Sequence, residues 1–247
     1  MPLCGRSEQG FRRLYRCERT TRFTGASPSN AHRTSTTRTR YAPTMVLSRA
    51  ATDADLDVVT EIMTAAFTDD PVWGRWAFPN AGEARAAELR SAFFGFLIRS
   101  GLRFPWVRVT GGAESAALWG PPGEAELTLE EQAQFEPFMR DLIGEGSDVF
   151  LAAVEMFDEN IPAQPHYHLD LIGTHPNHRG SGFGMALLRE NLVQVDAEHM
   201  PAYLESTNPA NLARYASVGF ERMGSFTLPG GGPTVDQMWR EARPTLG

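Results

Sequence analysis

The sequence of 247 residues contains no lysine, only two cysteines and no hydrophobic run long enough to cross a membrane. Because all 23 basic residues are arginine, a lysine Schiff base and a phosphate-binding loop that depends on lysine are both excluded. Cys4 and Cys17 lie near the N-terminus, so the rest of the chain has neither a thiol nucleophile nor a thiolate metal site. A membrane-spanning helix needs about 20 consecutive apolar residues, and we therefore expect no membrane partner.

Charge is distributed unevenly along the chain. Residues 1–44 hold nine arginines and two glutamates and show no sustained apolar period, so they bury too little apolar surface to offset the entropy lost on ordering. Four interpretations of these residues are open. They form a disordered tail, a basic arm that binds nucleic acid or anionic lipid, or a transit peptide, or they are not part of the mature protein, which then starts at Met45. Residues 45–247, which we expect to form the folded domain, hold fourteen arginines and 28 acidic residues. That balance disfavours nucleic acid as a partner.

Hydrophobic periodicity after residue 45 predicts a mixed α/β fold in which helices cross between strands. Thr52 and Asp55 form a capping-box pattern before the first helix. The predicted strands are 46–49, 104–110, 115–119, 166–173, 202–206, 220–227 and 235–240. The predicted helices are 52–67, 82–99, 128–158, 185–198 and 210–217, and an aromatic, acidic loop occupies 69–79.

The segment THPNHRGSGFG, at 174–184, connects a predicted strand to a predicted helix. Glycine permits positive φ and close approach of the backbone to a ligand. The first N–H groups of a helix favour an anion such as phosphate, and Arg179 adds a positive charge that can pair with phosphate oxygens. A glycine run is equally compatible with a tight turn that only lets the helix pack against the sheet.

Two other phosphate-binding motifs fit this loop less well. A P-loop requires Gly-Lys-Ser/Thr, and lysine is absent. A dinucleotide-binding fingerprint requires a third glycine, but Met185 or Leu187 occupies that position, depending on which glycine is counted first. One feature still agrees with a dinucleotide-binding oxidoreductase, because Glu205 ends the next strand, where a ribose-binding acid is expected.

The pattern Arg179-x-x-Gly182-x-Gly184, after a strand and opening a helix, resembles the acetyl-CoA loop of the GNAT N-acetyltransferase superfamily. The resemblance covers residues 45–240 and is strongest over 171–220. Thr174 departs from it, because the family usually has an aliphatic residue there.

A second segment is similar to the family's other signature, in which an asparagine is followed seven residues later by tyrosine and then by Gly-Phe. Here these residues are Asn208, Tyr215 and Gly219-Phe220, with Asn211 as the second asparagine of one branch. That branch resembles puromycin N-acetyltransferase, which also shares Ala-Leu-Trp-Gly-Pro-Pro at 117–122.

The resemblance implies a single α/β domain with a twisted, mostly antiparallel central sheet, splayed at the acetyl-CoA strand, and helices on both faces. It implies transfer of an acetyl group from acetyl-CoA to the primary amine of a small molecule, by direct attack in a ternary complex, in a cytoplasmic monomer or homodimer. A catalytically silent acyl-CoA-binding regulatory domain is the alternative. The implied cofactor-binding residues are Ile172, Gly173, Thr174, Arg179, Gly180, Ser181, Gly182, Phe183, Gly184, Met185, Asn208 and Asn211.

Two residues are candidates for proton transfer in the implied reaction. Tyr215 is the candidate acid, because a phenol with an ordinary pKa of about 10 keeps a proton that it can donate to the departing thiolate. Glu205 is the candidate base, acting directly or through water. The tyrosine is otherwise a packing residue, and the glutamate an exposed strand end or part of a salt bridge. Asn208 and Asn211 bind the pantetheine amides, cap a short helix, or do both.

The remaining candidates are a histidine pair and the aromatic loop. His166 and His168 share one face of a strand, but without a third ligand in view we predict no metal. The loop residues either wall an acceptor pocket, with an acid that attracts a cationic amine, or pack in the core. The residues concerned are Asp69, Asp70, Trp73, Trp76 and Phe78.

Overall fold

A seven-stranded sheet lies at the centre of the computed structural model, which describes residues 48–243. The strands are β1 Ser48–Ala50, β2 Val107–Thr110, β3 Ser115–Gly120, β4 Tyr167–Thr174, β5 Ala202–Ser206, β6 Glu221–Thr227 and β7 Thr234–Arg240. Their order is β1-β2-β3-β4-β5-β7-β6, and every neighbouring pair is antiparallel except β4 and β5. The predicted mixed, mostly antiparallel sheet is confirmed.

Helices cover both faces of this sheet, as predicted. Alternate residues of β3 show the two faces, because Leu118 packs in a core with α1–α4 and Trp119 packs in a second core with α5. The described helices are α1 Leu56–Ala66, α2 Glu83–Gly101, α3 Leu129–Ile143, α4 Ser147–Asn160, α5 Phe183–Ala197 and α6 Leu212–Ala216.

The single helix predicted for 128–158 is wrong, because the structure divides this stretch into α3 and α4. Gly144 and Gly146, between the two helices, have φ of 68° and 96°, a region that glycine adopts without steric cost. After the break, the end of α4 reaches the sheet, where the carbonyl of Asn160 accepts hydrogen bonds from Gln237 at 2.8 Å and from the hydroxyl of Tyr203 at 3.3 Å. These bonds hold the last turn of α4 against β5 and β7.

The first helix and the loop after it differ from the prediction in detail. The capping pair is confirmed, since the Asp55 carboxylate accepts from the Thr52 N–H at 2.9 Å, but the first turn is a 3₁₀ turn and α1 begins at Leu56. The predicted loop contains one wide helical turn at Pro71–Trp76. The turn forms because Asp70 accepts from the first N–H groups that follow it.

β4 and β5 are paired at two positions, Tyr167 with Ala202 and His168 with Tyr203, and then separate. On its other side β4 carries one extra residue, Asp170, because Leu118 and Trp119 of β3 pair with Leu171 and Leu169 of β4. Such a bulge bends a strand and re-aims its side chains. Leu169 accordingly packs in the α5 core and Leu171 in the α1–α4 core.

The predicted N-terminal extension at 1–44 lies outside the described residues, as do 45–47 and 244–247. The proposed domain boundary at residue 45 therefore stays a prediction. No helix within residues 48–243 combines the length and the apolarity needed to cross a membrane.

Candidate functional site

A cavity opens where β4 and β5 separate, on the face of the sheet that α1–α4 cover. Its empty space, counted together with the open solvent at its mouth, is about 1110 Å³. Its aromatic wall consists of Phe67, Trp73, Phe93, Phe135 and Phe157. Its polar side consists of Asp70, Glu126, Asp158, His168, Asp170, Glu205 and Tyr215. The two predicted catalytic residues therefore line the same cavity.

The carboxylate of Glu205 lies beside His168 across the two parallel strands. Its Oε2 atom is 2.6 Å from His168 Nε2, and His168 Nδ1 is 2.9 Å from Asp170 Oδ1. The imidazole therefore links two carboxylates, and it donates to both of them only when it is protonated. The side chain of Glu205 is 6% exposed, and its Oε1 atom has no hydrogen-bond partner among the described residues.

The charge of His168 follows from these neighbours. Burial alone would lower the pKa of His168, but the carboxylates of Asp170 and Glu205 raise it well above its ordinary value. The ring is therefore positively charged at neutral pH.

α6 places the phenol of Tyr215 at the cavity, where its ring packs edge-on against Phe220 with 6.2 Å between centroids. Burial and the nearby Asp70 carboxylate raise the pKa of Tyr215 to about 12, so the phenol keeps its proton throughout the neutral range. Asp70 is itself buried, which raises its pKa. It accepts from the Thr207 hydroxyl at 2.7 Å and from the Val72 N–H at 2.9 Å.

Asp158 and Glu126 are two further acids on the polar side. Asp158 lies in the last turn of α4 with 8% of its surface exposed, and its Oδ2 atom has no hydrogen-bond partner among the described residues. Burial and the charge of Glu205 raise the pKa of Asp158 to about 7. Burial and the charge of Asp170 raise the pKa of Glu126 to about 8. Neither acid forms an ion pair with a described residue.

The predicted phosphate loop leads from β4 into α5, and two of its glycines face open space. Gly180 and Gly182 have φ of 82° and 83°, and a Cβ atom on either would meet nothing within 4 Å. Gly184 differs, because a Cβ there would lie 2.7 Å from Thr174 Oγ1; this glycine permits close packing of α5 on β4. The exposed loop therefore leaves room for a ligand at the start of α5.

The other predicted residues of this loop occupy its ends. Arg179 is exposed and donates to the carbonyl of Ala66 at 2.8 Å, which ties the loop to the end of α1. Ser181 precedes α5, whereas Phe183 and Met185 lie in its first turn. α5 thus begins two residues earlier than predicted.

At the end of β4, Ile172 lines the cavity, whereas Gly173 packs against α1. A Cβ on Gly173 would lie 2.8 Å from the Cβ of Ala66. The Gly173 carbonyl accepts from the Ser115 hydroxyl at 2.6 Å, and Thr174 Oγ1 lies 3.1 Å from the same hydroxyl. Ser115 therefore fixes the end of β4.

The two asparagines occupy different positions. Asn208 accepts from the Ala210 N–H at 3.0 Å and so caps the turn before α6. Asn211 lines the cavity and accepts from Arg214 at 2.7 Å. The capping interpretation thus applies to Asn208, and binding of pantetheine by either residue stays a prediction.

Sequence analysis did not single out Asp170, Glu126 or Asp158, and it considered His168 only as a metal ligand. The alternation of His168 and Asp170 on one strand, beside Glu205 on the next, was a usable signal for part of this cluster. Within residues 48–243 no group of three or more His, Cys, Asp and Glu side chains has the arrangement of a metal site.

The aromatic loop serves both purposes that the sequence left open. Trp73 is 8% exposed and lines the cavity, while Phe78 is buried in the α1–α4 core. Asp70 lines the cavity, whereas Asp69 is exposed and lies 3.4 Å from the exposed Arg75.

Comparison with known proteins finds a family whose model matches the segment that carries most of the site. Residues 114–220 match the model of the acetyltransferase (GNAT) family. A Corynebacterium glutamicum protein, described as histone acetyltransferase HPA2 and related acetyltransferase, is 24% identical, with 82% of this chain and 99% of that chain covered and a TM-score of 0.57. Arylalkylamine N-acetyltransferase 2 from Aedes aegypti is 12% identical, with 80% and 99% covered and a TM-score of 0.56. Polyamine N-acetyltransferase from Drosophila melanogaster is 14% identical, with 79% and 99% covered and a TM-score of 0.53.

These structural likenesses show a shared fold. The family match adds a similarity of sequence over a defined segment. The matched segment contains β3, the separating pair β4 and β5, the glycine loop and α6, which together form most of the site. It favours an acetyl-CoA loop over a dinucleotide-binding motif. Residues 114–220 are thus similar to the GNAT family of acetyltransferases, enzymes that use acetyl-CoA.

Proposed function

We propose that this protein transfers the acetyl group of acetyl-CoA to the primary amine of a small molecule, by direct attack in a ternary complex. The observation that carries the proposal is that Glu205 and Tyr215, a carboxylate and a protonated phenol, line one cavity at the point where β4 and β5 separate. A base and an acid are the two groups that amine acylation requires.

Acetyl-CoA fits the loop before α5 and the end of β4. The space beside Gly180 and Gly182 admits the pyrophosphate, which the first N–H groups of α5 and Arg179 would bind. The pantetheine arm would extend along the β4 edge at Ile172–Thr174, which β5 leaves unpaired. Further proposed contacts come from Ser181, Phe183, Gly184, Met185, Asn208 and Asn211.

Proton transfer would proceed through the two cavity residues. An amine that arrives as ammonium gives one proton to Glu205 Oε1, directly or through water, while His168 holds Oε2 in place. The amine nitrogen then attacks the thioester carbonyl, whose developing oxyanion is stabilised by backbone N–H groups at the separated end of β4.

Collapse of the tetrahedral intermediate breaks the carbon–sulfur bond, and the thiolate takes the proton of Tyr215. The second proton lost by the nitrogen restores the phenol, and Glu205 releases the first proton to solvent. The raised pKa of Tyr215 keeps this acid in its protonated form before each turnover.

The resemblance to the puromycin N-acetyltransferase branch supports a small-molecule acceptor. The cavity is lined by residues of one chain, so either a monomer or a homodimer would contain a complete site. We propose a cytoplasmic location for residues 45–247 as the catalytic domain, because acetyl-CoA is available there.

Initial-rate kinetics test direct attack. With acetyl-CoA and an accepted amine varied together, a ternary complex predicts double-reciprocal lines that intersect. Parallel lines, together with an acetylated enzyme detected by mass spectrometry, would contradict direct attack in favour of an acyl-enzyme.

A further inference from the structure

We infer that the preferred acceptor carries two positive charges: the amine that is acetylated, and a second cationic group bound by Asp158 and Glu126. The chemical class is an aliphatic diamine or polyamine. This inference rests on the proposed function, because it assigns the acceptor of the same cavity.

Two buried oxygens without partners point to a ligand with two donors. Glu205 Oε1 and Asp158 Oδ2 are both buried, and neither has a hydrogen-bond partner among the described residues. Both residues line the cavity, and each is more than nine-tenths buried. A buried carboxylate oxygen without a partner is costly, and an ammonium group in the cavity supplies the missing donor at each position.

The polar side has a second position for a ligand cation beside Asp158 and Glu126, where a bound cation would lower their raised pKa values and favour their ionised forms. One ammonium has its place beside Glu205, whose other oxygen is held by His168. Asp158 and Glu126 remain, and His168 is the one cation among the described residues that line the cavity. Asp158 also lies at the C-terminal end of α4, where the helix dipole favours positive charge.

Asp70, the remaining acid of the cavity, does not need a ligand cation in the same way. One of its oxygens accepts from the N–H groups of Val72 and Trp73, and the other accepts from Thr207. This distinction leaves the site at Asp158 and Glu126 as the position for the second charge.

The aromatic wall suits the carbon chain between the two charges. Trp73 stacks on Phe157 with 5.5 Å between ring centroids, and both line the cavity. Such faces pack against methylene groups and attract a nearby ammonium. An arylalkylamine would also fit the aromatic wall, but its ring would leave Asp158 Oδ2 without a donor.

The test compares 1,4-diaminobutane with butylamine, which has the same carbon chain and one charge fewer. With the full chain and acetyl-CoA, we expect kcat/KM to favour the diamine by at least about 30-fold, the lower range for a buried charge pair. Asp158→Asn should remove most of this preference by lowering kcat/KM for the diamine far more than kcat/KM for butylamine. Glu159→Gln is the matched control, because it removes a negative charge from an exposed position of the same helix, and it should keep the preference.

Direct binding separates this inference from the proposed function. Calorimetric titration of 1,4-diaminobutane should show binding that Asp158→Asn weakens; Glu126→Gln gives a second variant in case the first fails to fold. Such binding without any thiol release would support the cation site and overturn acetyl transfer to this amine. Equal rates with both amines, a preference for 2-phenylethylamine, or no binding of the diamine would each overturn the inference.

Discussion

At the residue scale, the site depends on carboxyl groups that the protein buries without partners of their own. Asp158 is the clearest case, because burial and the charge of Glu205 raise its pKa to about 7. A group that is costly to ionise in the folded protein, and that faces a cavity, is typical of a functional position. The same property makes Asp158 measurable through stability.

The ionisation of Asp158 should lower the free energy of unfolding as pH rises. Its folded-state pKa lies above its ordinary value of 3.8, so its contribution to stability is present at low pH and is lost as pH rises towards about 7. Asp158→Asn removes this loss. Between about pH 5 and about pH 8, we expect the free energy of unfolding of the variant to rise relative to the wild type by about 2 kcal/mol. Urea denaturation measures it, with Glu159→Gln as control; identical pH dependence in the Asp158 variant and the wild type would refute it.

Tyr215→Phe tests the proposed acid. The phenol would donate to the thiolate, so we expect kcat to fall by about 10²-fold or more, with little change in the affinity for acetyl-CoA. Tyr167→Phe is a control with the same chemical change, because Tyr167 packs in the α5 core on the other face of β4. An unaltered kcat in Tyr215→Phe would remove this residue from the mechanism.

At the scale of elements, sequence patterns located the site better than they located its acids. The glycine loop, β5 and the segment of Tyr215 were predicted within about two residues, because glycine, proline and regular apolar spacing mark their ends. The break at Gly144 was missed because helical periodicity continues on both sides of it. Asp158 and Glu126 could not be predicted, since their positions in the cavity arise from the packing of α4, and of the segment between β3 and α3, against the sheet.

The contact between His168 and Glu205 could not be predicted from the sequence either. It depends on the parallel register of β4 and β5, which no local pattern specifies. The bulge at Asp170 likewise follows from pairing with β3. Sequence therefore predicted which elements form the site, whereas the electrostatics of the site required the tertiary structure.

Gly182→Glu tests the loop as the phosphate site. A negative side chain there would face the pyrophosphate, so we expect acetyl-CoA affinity to fall at least about tenfold. Gly146→Glu places the same residue at another exposed glycine that precedes a helix in the left-handed conformation, so both variants should lose a similar stability, about 1–2 kcal/mol. Calorimetry and thermal unfolding measure the two effects. Full acetyl-CoA affinity in the Gly182 variant would place the phosphates elsewhere.

At the scale of the whole molecule, the folded domain is acidic, and the two proposed substrates carry opposite charges. Residues 45–247 hold twice as many acidic residues as arginines. The electrostatic field of this acidic domain attracts a cationic amine and repels an anionic cofactor. Binding of the cofactor therefore depends on the local glycine loop and the N-terminus of α5.

Ionic strength should therefore affect the two Michaelis constants differently. Because salt screens long-range attraction, raising it from about 0.05 M to about 0.3 M should increase KM for a diamine several-fold. KM for acetyl-CoA should not rise in parallel. Steady-state rates at fixed pH measure both, and a diamine KM independent of salt would contradict electrostatic attraction by the domain.

The most direct test of acetyl transfer is to follow both products in one reaction. The full chain is incubated with acetyl-CoA and 1,4-diaminobutane, and released thiol is measured together with N-acetylated amine by mass spectrometry. The account predicts that thiol and acetylated amine form in equal amounts, and that Tyr215→Phe lowers both to the same degree. Thiol release without acetylated amine, or no reaction with any primary amine in a folded sample that binds coenzyme A, would contradict it.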